Sequence, residues 1–403
     1  MEKRNTRIVF TISLLLALIL LVFSSGFIIG RFSNIGGVNF VFSRFDKEDR
    51  PLFNPYIQAW EIVNDRYIDQ PVDKQNLVQG SIKGMMESLG DPYSSYLDPE
   101  QFRDQNAPLE GEYTGIGAWV DTSGEFLVFI SPMPDSPAEE AGIEPGDKVI
   151  AIDGEDVAGL DPSLVLNKVL GPADTDVTIT ILRNDDRETL TFTITRAVIP
   201  IPSVESEILE DGIGYIRLYT FGVNSYTEFS ESLTALIDDG AEKIIFDLRN
   251  NTGGIVDSAI DISSLFLPED SLILIEEWGD GTTDKYITDK SPLAPDQPLV
   301  VLVNQGTASA SEITAGAMQD LGRAKLVGTT TFGKGLIQNW LPLSGGEDGA
   351  IRVTIARWLT PDGRQIQDLG LEPDEIVDYT QEDFDGGMDP QLDKAVEMLR
   401  DFE

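Results

Sequence analysis

Neither histidine nor cysteine occurs anywhere in the 403 residues. Without imidazole a Ser-His-Asp arrangement cannot be assembled, so a serine nucleophile would need another base, and lysine is the side chain left to serve. The double absence also removes disulfides, thiolate zinc sites, haem attachment and imidazole metal ligands. Only all-oxygen metal sites stay open, and a chain without thiols is compatible with any redox compartment. Basic residues are scarce as well: 29 Lys and Arg stand against 69 Asp and Glu, a formal net charge of -40. Such a field repels polyphosphate, which argues against a nucleic-acid partner. The length and the 41% hydrophobic content point to two or three folded domains.

Lys3, Arg4 and Arg7 precede a charge-free, mostly apolar run over residues 8–30, long enough to span a hydrocarbon core as a helix. The positive flank keeps the N-terminus cytoplasmic and puts the remainder outside. We expect residues 1–30 to be an uncleaved anchor rather than a signal peptide, because the run exceeds a usual h-region and Ser24, Ser25 and Gly26 make a weak cleavage site. Residues 31–52 read as a polar linker. Over residues 53–108 the spacing becomes helical, with Ile57, Trp60, Val63 and Tyr67, then Leu77, Ile82, Met85, Met86 and Leu89. This stretch reads as a small helical cap or homodimerisation arm, and it exits through the turn-rich Asp91, Pro92, Tyr93, Ser94, Ser95 and Tyr96.

From Tyr113 the pattern changes to period two, passing Gly115, Ile116, Gly117 and Ala118. A short helix ending at Gly142, a turn through Pro145 and Gly146, a buried strand and a turn at Asp153 and Gly154 follow. Residues 109–198 thereby resemble a PDZ domain. The resemblance implies that Gly115, Ile116, Gly117 and Ala118 hold a peptide's terminal carboxylate on backbone N–H groups, while the tail adds a strand to an open edge. The bland alternative makes these glycines turn residues only.

Residues 199–380 alternate strands and helices, an α/β pattern with apolar strands near residues 213–218, 243–248 and 299–303. Two of these strands lead into residues 249–254 (Arg-Asn-Asn-Thr-Gly-Gly) and 304–309, at the rim where ligand chemistry gathers in such sheets. Ser309 ends the second turn. Taken alone, Ser309, Ala310, Ser311 and Glu312 read as a capping box, a role that leaves the N–H groups of the helix start available to an oxyanion. Lys334 lies between Gly333 and Gly335, beside Phe332, Leu336 and Ile337, apolar neighbours that could strip it of its proton. Residues 328–334 also imitate a phosphate-cradling loop, but Gly335 stands where a magnesium-binding Ser or Thr is required, and residues 336–343 read as extended chain. An acidic helical segment, residues 381–403, closes the chain.

Taken together, residues 247–254, 304–320 and 331–338 resemble the carboxyl-terminal processing peptidases, or tail-specific proteases, and the likeness runs from about residue 53 to the C-terminus. The fold class implied is multidomain α+β/α/β: an N-terminal transmembrane helix, a helical N-terminal segment, a PDZ β-barrel-like domain and an α/β protease core of the ClpP/crotonase type. By motif the nucleophile falls on Ser309, the base on Lys334 and the residue orienting it on Gln338. The oxyanion donors fall on the backbone N–H groups of Ala310 and of the Gly253-Gly254 turn, with Gly253 preferred. Asp320 matches a position tied to activity in some members, yet reads here as a surface helix residue.

Two departures stand out. Thr252 replaces a common Pro or Gly, and Leu170 stands where many members carry an Arg, which puts PDZ-controlled activation in doubt. The resemblance implies a membrane-anchored serine endopeptidase, facing out of the cytoplasm, acting on proteins with apolar C-termini and needing neither cofactor nor metal. The rival reading is a catalytically inactive PDZ scaffold that binds C-termini.

Overall fold

The computed structural model describes residues 48–183 and 188–402. The expected anchor at residues 1–30 and most of the linker lie outside them. Among the described residues no helix is long and apolar enough to cross a membrane. The chain divides into two compact units with the boundary at Ser81. In the first, helix Asn54–Arg66 starts with Pro55 in its first turn, where a missing N–H costs nothing. Helix Lys74–Glu87 begins in this unit, and the Tyr56 hydroxyl donates to Ser81 Oγ at 3.0 Å.

Within the second unit, residues 118–195 build an antiparallel sheet in the order Ala118–Asp121, Val128–Pro132, Lys148–Ile152, Asp176–Arg183, Glu188–Thr195. Period-two alternation puts Val177, Ile179 and Ile181 in its core. Helix Pro162–Val169 covers that core with Val165 and Val169.

The remainder is organised by a six-stranded sheet: Val204–Ile208, Ile213–Leu218, Lys243–Asp247, Leu299–Val303, Lys325–Gly328, Glu375–Ile376. The first strand is antiparallel and the others run parallel. Both faces are covered, which is why Leu299–Val303 is apolar at every position. Helices Ser225–Asp238, Val256–Ser264 and Ala310–Asp320 pack on one face, and Pro390–Arg400 buries Ala395 and Leu399 on the other. A five-stranded antiparallel sheet is centred on Ala350–Leu359, which pairs with Leu336–Pro342, Ser95–Leu97 and Leu272–Trp278. The acidic C-terminal segment is two helices rather than one: Gln381–Asp385 stops at Gly386 and Gly387, and Asp389 caps Pro390–Arg400.

Candidate active site

Three turns meet at the carboxyl rim of the parallel sheet. The fully buried strand Leu299–Val303 delivers residues 304–309, and helix Ala310–Asp320 starts directly after them. Ser309, at this reversal, has φ 57° and ψ -119°, a conformation that costs a non-glycine residue about 1–3 kcal/mol and needs its surroundings to enforce it. Enforcement comes from the fully buried Glu312. Its Oε2 accepts Ser309 N–H at 2.9 Å, as the capping box expected at residues 309–312 requires.

The same carboxylate holds the lysine loop. Glu312 Oε1 accepts the Thr331 hydroxyl at 2.5 Å and Gly333 N–H at 2.7 Å, and Oε2 also accepts Lys334 N–H at 2.9 Å. Phe332 N–H donates to Thr307 O at 3.0 Å, tying this loop to the turn before Ser309. Thr331 and Gly333 face inward, so the intervening Phe332 is thrown out and is 55% exposed. It does not shield the lysine in the way its position in the sequence suggests. Leu336 and Ile337 are half-buried. The glycines on either side of Lys334 fit against residues 366–370: a Cβ on Gly333 would lie 2.7 Å from Gly370 N, and one on Gly335 2.9 Å from Gln367 N. No helix follows Lys334; the chain continues as strand Leu336–Pro342, which rules out a phosphate-binding helix start.

Lys334 is half-buried, and its pKa is lowered by desolvation first and by the Arg352 charge second, against an opposing pull from Glu312. Among the described residues Ser309 Oγ and Lys334 Nζ are not hydrogen-bonded to each other. Gln338 is also turned elsewhere: its Nε2 donates to Thr354 Oγ1 at 3.4 Å, and Thr354 N–H donates to Ser94 Oγ at 3.0 Å. A cleft of about 450 Å³ beside this strand is lined by Asp91, Trp278, Leu336, Thr354, Ala356 and Arg357.

The third turn follows strand Lys243–Asp247. Gly253 (φ 99°) is pressed against the serine: a Cβ there would lie 2.7 Å from Ala308 O, 2.8 Å from Ala310 N and 2.9 Å from Ser309 Cβ. Only glycine fits. Its N–H, however, donates to Asn251 Oδ1 at 2.9 Å, an Asx turn that competes with an oxyanion role for Gly253 in this conformation. Ala310 N–H is the first of the helix and points from its positive end. Four hydrogen bonds missed by the sequence reading fix this turn to the serine segment. Asn250 N–H donates to Asn304 Oδ1 and Asn304 Nδ2 donates to Asn250 Oδ1, each at 2.9 Å. Asn251 O accepts Ala308 N–H at 3.0 Å and the Ser311 hydroxyl at 2.9 Å.

Beneath the turn lies a buried charge cluster. The Tyr215 hydroxyl donates to Asp247 Oδ2 at 2.7 Å, and the Arg249 guanidinium bridges Asp247 (2.7 Å) to Asp389 (2.9 Å) and Gln391 (3.2 Å). Burial raises the Tyr215 pKa first, with Asp247 adding to it. Burial opposes the Arg249 charge, but hydrogen bonds to Asp247 and Asp389 hold its pKa above the ordinary value. Asp320 is not the surface residue expected. Its side chain is 3% exposed, pairs with Arg364 and accepts Asp362 N–H at 2.9 Å, so the helix end grips residues 360–371, which back the lysine loop. Among the described residues no three acidic side chains gather in a metal-binding group.

Residues 212–377 match peptidase family S41, residues 128–183 a PDZ domain, and residues 46–101 the N-terminal domain of activating protease CtpB. A carboxyl-terminal-processing protease of Synechocystis sp. is 39% identical over 328 residues, covering 80% of this chain and 76% of that one. The carboxy-terminal processing protease CtpA of Bacillus subtilis is 35% identical over 340 residues, covering 84% of this chain and 70% of its own length. Among solved structures, a putative S41 protease from Bacteroides fragilis shares the fold at TM-score 0.50 and 14% identity, over 85% of this chain and 97% of that one.

Proposed function

Since the chain belongs to the carboxyl-terminal-processing proteases of peptidase family S41, we propose that it is a serine endopeptidase whose nucleophile is Ser309 and whose base is Lys334. The observation that carries this reading is the pair of backbone N–H groups, from Ser309 and Lys334, on a single oxygen of Glu312. In the reaction the neutral amine takes the Ser309 proton as Oγ attacks a peptide carbonyl. Ala310 N–H and an amide of the Gly253-Gly254 turn hold the oxyanion, the lysine returns the proton to the leaving amine, and water hydrolyses the acyl-enzyme.

The missing Ser-Lys hydrogen bond, the engaged Gly253 N–H and the Gln338–Thr354 contact fit a resting state. Substrate in the neighbouring cleft closes it, and Gln338 then orients the lysine. The PDZ domain selects protein tails, residues 8–30 anchor the chain, and catalysis takes place outside the cytoplasm. The helical N-terminal segment offers a surface for a homodimer.

The test incubates the full chain with an unfolded protein ending in apolar residues, as the free acid and as the C-terminal amide. Cleavage of the acid form, lost in Ser309→Ala and in Lys334→Arg because guanidinium does not deprotonate, is the expected result. Cleavage by Ser309→Ala would overturn the assignment, and tail binding without cleavage would favour the scaffold.

A further inference from the structure

Strand Ala350–Leu359 meets Leu336–Pro342 along one edge and two shorter stretches along the other. Ser95–Leu97 pairs with residues 350–352 and residues 275–278 pair with 356–359, so among the described residues no strand covers 353–355 on that side. The pairing with Leu336–Pro342 slips at the same place. Ile337 faces Ala356, Gln338 faces Thr354, and Ile355 is left over as a bulge. Across that bulge Gln338 Nε2 donates to Thr354 Oγ1 at 3.4 Å. The uncovered edge is closed by the turn at residues 91–94. Ser94, 8% exposed, accepts Thr354 N–H on its Oγ at 3.0 Å and donates its hydroxyl proton to Asp91 Oδ2 at 2.6 Å. Asp91 Oδ1 accepts Tyr93 N–H at 3.0 Å, which sets the turn. Tyr93 O accepts Arg352 Nε at 3.1 Å, and the Tyr93 hydroxyl accepts Gln367 Nε2 at 3.3 Å, while Gln367 Oε1 holds the N–H of Gly335, next to the lysine, at 2.9 Å.

We propose that Ser94 is a positioning residue of the reaction: by holding Thr354 N–H it fixes the bulge at Ile355, and the bulge aims Gln338. The inference rests on the reading of Lys334 as the base and Gln338 as the residue that orients it. A bulge directs the side chain opposite it only while the extra residue stays in place, and a one-residue slip in this pairing would turn Gln338 to the other face of its strand. No neighbouring strand offers Thr354 N–H a carbonyl at the uncovered edge, so Ser94 supplies the acceptor. Asp91 takes the hydroxyl proton, which leaves a lone pair of Oγ for Thr354. Take the hydroxyl away and the N–H is best satisfied by water from the cleft that Asp91, Thr354 and Ile355 line, at the expense of the bulge. The turn thereby belongs to the machinery around the base without touching a reacting atom.

The experiment is a double-mutant cycle on the full chain, Ser94→Ala against Gln338→Ala, read by kcat and KM on an unfolded protein ending in apolar residues, with a urea melt of each variant. Ser94→Ala alone is expected to lower kcat about tenfold to hundredfold with KM within about twofold, and Ser94→Thr, which keeps the hydroxyl, to recover most of that loss. In the Gln338→Ala background the same change should move kcat by less than about twofold, because the group it aims is gone. A merely structural serine would lower stability and leave kcat in place, which overturns the proposal. So do losses that multiply in the double variant, since Ser94 would then act by a route other than Gln338. Parent kcat in Gln338→Ala removes the role of that residue, and the proposal with it, while leaving Ser309 and Lys334 as they stand. A parent chain that cleaves nothing removes the protease reading itself. Should Ser94→Ala fail to fold, Ser94→Cys, a weaker acceptor of similar size, takes its place in the cycle.

Discussion

Ser309 and Lys334 donate their backbone N–H groups to one atom, Oε2 of Glu312, at 2.9 Å each. In the mechanism we propose, a base and a nucleophile carried on separate loops must keep register to within a fraction of an ångström, and a shared acceptor achieves this without touching either reacting group. Glu312 is therefore a positioning residue. Its capping role, read from the Ser-x-x-Glu pattern, is half of what its carboxylate does.

Replacing Glu312 with Gln separates these roles. An amide nitrogen placed at Oε2 would meet two N–H donors, so it must take the Oε1 side, where the Thr331 hydroxyl can turn to accept but Gly333 N–H cannot. One buried donor is then orphaned, at a cost of about 1–3 kcal/mol. Urea melts should read that loss, and kcat/KM should fall on the order of 100-fold, the usual penalty for misplacement by about 1 Å. Wild-type kcat/KM in Glu312→Gln would show that the loops hold register without it.

The elements that were legible in the sequence are those written locally. The run at residues 299–303 is apolar at every position because both faces of its strand are covered, and Gly333 and Gly335 flank Lys334 because neighbouring chain leaves no room for a Cβ. The contacts that escaped it join distant segments: Thr331 to Glu312 across 19 residues, Asn250 to Asn304 across 54, Arg249 to Asp389 across 140. No periodicity encodes such pairs. The exposure of Phe332 and the burial of Asp320 were misread for the same reason, since each depends on what residues 360–371 and 331–335 do in space.

Gly253→Ala probes the proposed oxyanion turn. Its methyl would sit within 2.9 Å of Ala308 O, Ala310 N and Ser309 Cβ, on a backbone with φ 99°. The turn must shift away from the serine, and losing one oxyanion donor costs about 100- to 1000-fold in kcat. Single-turnover kinetics should place that loss in acylation, with KM little changed. Unchanged kcat would exclude this turn from the site.

The lysine makes a prediction in pH. If Lys334 is the base we propose, the free amine is the working form, and its pKa lies below the ordinary 10.5, so kcat/KM should rise with pH through a midpoint below that value. Arg352 contributes to the lowering by its charge, second to burial. Arg352→Met should move the rising limb to higher pH and lower activity at neutral pH while leaving the alkaline plateau in place. A limb that stays put would mean that the Arg352 charge does not reach the amine, leaving burial and Glu312 to set its proton affinity.

The charge cluster under the turn separates stability from catalysis. Asp247 is fully buried and takes its charge balance from Arg249, so Arg249→Met leaves an unpaired interior carboxylate, at a cost of about 3–5 kcal/mol. Asp389 is 26% exposed at its side chain, and Asp389→Asn keeps an oxygen for Arg249 and for Leu392 N–H, the cap of helix Pro390–Arg400. That variant should lose about 1 kcal/mol or less. The backbone N–H of residue 249, which Met retains, also donates to Asp247 Oδ1 at 2.8 Å where the chain leaves the strand toward Gly253; an Asp247 carboxylate that shifts once its guanidinium partner is gone disturbs this bond, so the Met variant should lose kcat together with stability. Chemical denaturation and kcat measured on both variants test this ordering. Equal destabilisation by the two would make the outer, half-exposed ion pair the one that matters, and the buried aspartate would then need another partner.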